Sequence, residues 1–314
     1  MLPMPRIVAA TLACASSLAL LSLAPVIALA QAAPALSTIV AFSGSQATAN
    51  AVLGPDGALY GTTSASSIVT GGLVYRAEAD GSSVRTIHQF SLSDGVSPVA
   101  GLLLGSDDRL YGSTIFGAAS QLGSTGTVFR LSPDGSGFSV IHRFDSYSTT
   151  NILGSPVNDE GASPETELVE GPEPDGFLYG VTRSGGPNGT GVVFKLAKDG
   201  SGFAVLHAFS PVTSAAAVTP ATNDEGLDLL GPLVVGSDGY LYGTASGGGA
   251  NGSGTLFRVG LDGSGFEVIY AFSALTVNPS GLSINGDGAT PIAGLTDGMD
   301  GKLYGVTNLG GAQG

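Results

Sequence analysis

SGGGANGSGTLFRVGLDGSGFEVIYAF, residues 246–272, decides how the chain is read. It opens with Gly247-x-Gly249-x-x-Gly252, the spacing of a dinucleotide-binding loop. That fingerprint holds a pyrophosphate only where a helix follows the glycines, because the helix N-terminus carries the positive partial charge. Here the glycines run into Thr255–Val259, which is short, β-branched and aromatic. Then come the turn LDGSG and a second strand-like run, Phe266–Phe272. No helical period follows, so the glycines turn the backbone and the fingerprint is accidental.

The same order of elements recurs along the chain. Leu-Tyr-Gly occurs five times, with its tyrosine at Tyr60, Tyr111, Tyr179, Tyr242 and Tyr304, in steps of 51, 68, 63 and 62 residues. A period this long indicates a repeat array. Each tripeptide is preceded by a turn such as GPDG or GSDG and followed by a glycine-rich loop. Next come a strand of the type GTVFRL, a turn of the type DGSG, and a last strand such as FSVIHRF. In the second unit the strands are expected at Gly101–Leu104, Arg109–Thr114, Gly126–Leu131 and Phe138–Phe144. Asp-Gly between apolar runs signals hairpins, of type I′ if both central residues take φ > 0. Four antiparallel strands per repeat make the blade of an all-β propeller. A blade is covered on both sides, so Val128, Phe129 and Leu131 need not alternate with polar residues. A stacked β-solenoid is the competing architecture; its rungs are shorter and the hairpin signals oppose it.

At the ends, STIVAFS, Ser37–Ser43, matches the last strand of a unit, and Leu303–Gly314 matches the start of one. A ring closes without a free edge when such strands share a blade. The expectation is therefore four complete units plus one split between the chain ends. The shared blade would lack its third strand, so the chain is expected to be C-terminally truncated.

Residues 1–30 read differently. Arg6 precedes an apolar run that ends in Ala28-Leu29-Ala30, the pattern of a cleaved signal peptide, leaving 31–314 as the repeat domain. The only cysteine, Cys14, lies in that segment, so the mature chain has no disulfide, thiol nucleophile or cysteine-based zinc site. Net charge is −14 and falls by one when Arg6 leaves. Nucleic acid and anionic membrane surfaces are repelled by such a chain, and no integral membrane segment remains after cleavage.

Taken together, LYGxT, the glycine loop, GTVFRL and DGSGFxVIHxF resemble the GloVer repeat of exported bacterial proteins with tandem repeats, over about residues 37–314. The resemblance implies a secreted or surface-attached, propeller-like array. It implies no established reaction and carries no catalytic residues.

Two sets of side chains are candidates for chemistry. His88, His142 and His207 occupy one repeat position on the fourth strand, where the fourth unit has Tyr270. Different blades would hold them too far apart to share a metal, so they read as packing residues, as do the Leu-Tyr-Gly tyrosines with their hydroxyls bonded to a neighbour. One acidic residue precedes a glycine ahead of each innermost strand: Asp94, Glu160, Glu225 and Asp287. On one channel mouth and near the axis, these carboxylates could hold Ca²⁺ or a polyhydroxylated ligand; the plainer reading is solvated acidic loops. Apart from that Ca²⁺, no cofactor is expected. An acid–base set confined to one unit would mark an enzyme, and none stands out.

The reading is an exported protein, secreted, periplasmic or at the cell surface, acting as a binding or structural module for extracellular carbohydrate or protein. The alternative is a polysaccharide-active lyase or hydrolase with its carboxylates at the channel mouth.

Overall fold

The computed structural model describes residues 45–46, 49–65, 71–117, 125–151, 154–174, 176–213 and 222–312. The expected signal peptide, the Ser37–Ser43 strand and part of the second unit's glycine loop lie outside them. Every regular element among the described residues is a strand.

Four antiparallel sheets follow one another along the chain. The first runs Val52–Leu53, Leu59–Ala65, Leu73–Ala77, Val84–Gln89, with Ser45–Gln46 also pairing on the far end of Leu59–Ala65. The second runs Leu103–Leu104, Leu110–Thr114, Thr127–Leu131, Ser139–Arg143. The third runs Val169–Glu170, Leu178–Thr182, Val192–Leu196, Ala204–Ala208, and the fourth Val234–Val235, Tyr240–Ala245, Thr255–Gly260, Glu267–Ala271. A fifth begins with Thr296–Asp297 and Leu303–Tyr304. Apart from Ser45–Gln46, the strands in each sheet pair in sequence order, as antiparallel strands joined by hairpins do.

Those turns differ from the expected type I′. In the first unit only Gly57 has positive φ, +78°, and its N–H donates to Gly54 O. Asp56 stays at negative φ because its carboxylate accepts the N–H of Ala58 and the hydroxyl of Tyr60. The result is a turn closed by one left-handed glycine. The pairing repeats between Asp107 and Tyr111, Asp238 and Tyr242, and Asp300 and Tyr304, at 2.7–2.8 Å. This links the turn to the Leu-Tyr-Gly strand four residues on. The glycine of the tripeptide has its own reason: a Cβ on Gly112 would stand 2.5 Å from Phe129 Cζ. The third strand's phenylalanine lies where that side chain would be.

The core lies between successive sheets. Tyr60, Val74 and Phe90 of the first pack with Leu102, Phe129 and Leu131 of the second. Tyr111, Val128 and Phe144 pack with Phe194 and Leu196 of the third. Val193 and Phe209 pack with Leu233 and Phe257 of the fourth. Leu110–Thr114 and Leu178–Thr182 are buried along their whole length, as expected of strands covered on both faces.

Candidate functional site

The fourth strand of every sheet carries a bulge at one place, between Val74/Tyr75, Val128/Phe129, Val193/Phe194 and Leu256/Phe257 of its partner. Such a bulge re-aims the side chains beside it. The residue that follows the extra one is His88, His142, His207 or Tyr270. Each imidazole lies flat on a phenylalanine from the next unit's DGSGF turn: His88 on Phe138 at 3.5 Å, His142 on Phe203 at 3.9 Å, His207 on Phe266 at 3.4 Å between centroids. The packing role expected for them is seen in these stacks.

The acidic residues meet those same aromatics. His88 Nε2 lies 3.6 Å from Asp94, His142 Nε2 3.2 Å from Glu160, and His207 Nε2 3.0 Å from Glu225; the last is hydrogen-bonded. The Tyr270 hydroxyl donates to Asp287 Oδ2 at 2.5 Å. Each carboxylate also accepts a backbone N–H just past the fourth strand, from Ser91, Asp145, Ser210 or Ser273. Every one of these acids has an aromatic partner of its own. No three acidic or histidine side chains among the described residues are placed to hold a metal ion. Burial pushes His142 down to about 4 and also lowers His88 and His207, while it raises Glu160. At neutral pH the rings are therefore uncharged latches.

An asparagine holds each of these loops from the second unit onward, buried at Asn158 and Asn223 and partly exposed at Asn285. Asn158 Nδ2 donates to Asp145 O and Gly161 O, and its Oδ1 accepts from the N–H groups of Gly161 and Gly186. Asn223 and Asn285 repeat this with Gly226 and Gly288. Sequence reasoning overlooked them, although Asn-x-x-Gly recurs three times ahead of the innermost strands.

The loops lead into segments that converge on one chamber of about 420 Å³, widely open to solvent and lined by Ala49 and Asn50, Val99–Gly101, Glu165–Glu167, and Leu230 with Pro232. These are equivalent positions of four units. Only the third carries charge there: Glu165 stands where the others have Thr48, Val99 or Leu230, and Glu167 where they have Asn50, Gly101 or Pro232. Both glutamates line the chamber. Burial raises both carboxyls. For Glu165 the rise is opposed by Arg183, whose Nη1 lies 3.6 Å away and whose Nε donates to Asp228 Oδ1 at 3.1 Å. Glu167 has no such relief, and a Cβ on Gly101 would come within 2.8 Å of its Oε2. Between them Thr166 is 4% exposed, and its hydroxyl has no hydrogen-bond partner. An orphaned buried hydroxyl costs about 1–3 kcal/mol until something bonds it. This acid set, confined to one unit, is what the sequence reading looked for and missed. Its signal was ETE in SPETELV against VAG in SPVAGLL.

No curated protein matches the sequence significantly. Among solved structures, the Nidogen/Laminin complex aligns at 16% identity over 82% of this chain and 70% of that one, with a TM-score of 0.46. TolB from Acinetobacter baumannii aligns at 13% over 76% and 50%, TM-score 0.40, so the chain spans half of that protein. An oligogalacturonate lyase in complex with manganese aligns at 13% over 86% and 66%, TM-score 0.47. These scores are too low to carry anything about ligand or activity. The Gloeobacter/Verrucomicrobia repeat matches residues 26–231 and 149–314. Together with the five Leu-Tyr-Gly units and the sheets they build, this match places the chain in the Gloeobacter/Verrucomicrobia repeat family.

Proposed function

We propose that the chain is an exported β-propeller acting as a binding module, with the central chamber as its ligand site. The observation that carries this is the Glu165-Thr166-Glu167 segment, which puts two carboxyls where no other unit carries a charge. Scaffold positions repeat from unit to unit, as the Asp–Tyr turns do; a departure confined to one unit at the convergence point is the mark of a site. The chamber's size falls within the range of small-ligand pockets. Export is supported by the charged start, apolar run and Ala28-Leu29-Ala30 of residues 1–30.

A second reading, a polysaccharide-active lyase or hydrolase, is favoured by one feature. Glu165 and Glu167 sit in unlike environments, one beside a guanidinium and one without, which is how paired carboxyls divide acid and base roles. Both come from one segment and so share one wall of the chamber, which suits holding a ligand better than flanking a bond.

Ligand-observed NMR with neutral and amino monosaccharides tests the binding reading. A ligand is expected whose signal is lost with Glu167→Ala and weakened with Glu165→Ala. Binding indifferent to both substitutions, or mapping instead to the groove beside Tyr242 and Leu295, would remove the chamber as the site. Turnover of polyuronate or neutral polysaccharide, lost on Glu165→Gln, would favour the enzyme.

A further inference from the structure

We infer that the outer edge of Leu303–Tyr304 is a docking site for the third-strand hairpin of a further repeat unit, an extended G-T-V-F-R-L strand followed by the turn D-G-S-G-F. The site is separate from the chamber and does not rest on it. Three complete joints in this chain show what such an edge takes. In the first, Val74, Ile87, Leu102 and Leu110 pack with Phe129, Leu131 and Phe138, all three from the second unit's hairpin. The other two joints repeat this, the last with Phe257, Val259 and Phe266. In the fourth and fifth sheets the counterparts Leu256, Ile269, Leu295 and Leu303 line an open groove of about 610 Å³. Among the described residues no hairpin fills it, and Thr296–Asp297 is the one strand paired with Leu303–Tyr304.

Three features of the groove match that hairpin. A Cβ on Gly112, Gly180 or Gly243 would collide with the third-strand phenylalanine, whereas one on Gly305 would meet only Leu295 Cδ2. The slot for the ring is therefore built and open. Asp300 accepts from the Tyr304 hydroxyl at 2.8 Å, with no cation beside the pair among the described residues; in the first unit Arg76 of the third strand bonds both Asp56 and Tyr60. Tyr270 lacks, among the described residues, the stack that a turn phenylalanine gives His88, His142 and His207. In the complete sheets the tyrosine of Leu-Tyr-Gly faces the third strand's cation and the glycine faces its aromatic residue. A docked strand thus sets its arginine at Tyr304 and its phenylalanine at Gly305. Unpaired sheet edges accept strands in this way, with side-chain pockets fixing the register. The third-strand hairpins of the first four units are already paired in their own sheets, so a second copy would have to unzip one to fill the edge.

The experiment is fluorescence anisotropy of a labelled peptide with the sequence of residues 126–144, titrated with the full chain. Saturable binding is expected. It should be at least about tenfold weaker when the peptide carries Phe129→Ala, which empties the ring slot, and when the chain carries Gly305→Ala, which fills it. Asp300→Lys, which reverses the charge facing the arginine, should weaken it at least about threefold. Thermal melting shows that each chain variant is folded; Gly305→Ala meets only the end of the Leu295 side chain. No binding, or binding indifferent to Phe129→Ala and Gly305→Ala, would overturn the proposal. A dimer in sedimentation equilibrium that Gly305→Ala dissociates would also overturn it, since a second copy would then hold the edge. Slow hydrogen exchange at Gly305–Thr307 in the free monomer would do the same, because another part of this chain would already cover it.

Discussion

His207 in the third sheet and Tyr270 in the fourth hold the same place on the fourth strand, yet their surroundings differ. His207 is pressed onto Phe266 of the next unit, bonded to Glu225 and mostly covered. Tyr270 keeps the bond to its acid, Asp287, and the edge contact with Phe272, but it is 45% exposed, with no stacking partner among the described residues. Its chain neighbour Ile269 is exposed as well. The difference shows where a unit's core comes from. A unit supplies its strands, turns and acid–aromatic latch, but the ring that completes the latch belongs to the next unit's DGSGF turn. Stability in such an array resides in the joints as much as in the repeats.

The sharpest way to break this comparison is to remove the same phenylalanine from both regions. Phe209 is fully buried against Phe257 and Phe266. Phe209→Ala should cost about 3–5 kcal/mol in denaturant unfolding. Phe272 is 8% exposed and, among the described residues, has the Tyr270 ring as its one aromatic neighbour, so Phe272→Ala should cost less than Phe209→Ala. Equal costs would mean that the fourth sheet is as well covered as the third.

The asparagine clamps come next. Asn223 is 2% exposed and bonds the turn from both of its amide atoms. Asn223→Ala leaves those groups unpaired and should cost about 2 kcal/mol. Asn285 makes the same bonds in a more open site, where water replaces them, so Asn285→Ala should cost about 1 kcal/mol or less. Chemical denaturation of the two variants side by side reads the difference; a larger loss at Asn285 would reverse it.

His142→Phe keeps the flat stack on Phe203 and gives up only the contact with Glu160. It should cost at most about 1.5 kcal/mol, as for a tolerated volume-conserving swap. A greater loss would show that the carboxylate, not the stack, secures the latch.

The smallest effect is in pH. His142 is ordinarily near 6.5 and is held at about 4 in the fold, so it contributes stability above 6.5 that is lost as pH falls toward 4. His88 and His207 shift in the same direction. Glu160 is raised and works in the opposite sense: its contribution is present at low pH and lost as pH rises through its folded value. Melting temperature should therefore fall on acidification across this window, and His142→Phe should flatten the fall. A variant at Tyr270, whose hydroxyl does not titrate there, should leave the slope unchanged.

Strand order, turn positions and the all-β class could be read directly from residues 246–272 and their four counterparts. Apolar alternation, Asp-Gly turns and glycines that must take φ > 0 act within a few residues, so their traces stay local in the chain. The latch was half legible. Histidines and acids both stood out, but a bulge and a loop bring each His onto its own acid, and the imidazole onto a ring from the following unit. Glu165, Thr166 and Glu167 were in plain view in the sequence as one unit's odd tripeptide. Asn50, Gly101, Glu167 and Pro232 are separated by roughly one repeat each, and no local rule ties them together. They meet because sheets pack face to face through Phe129, Phe194 and Phe257 and so bring the innermost segments to one place.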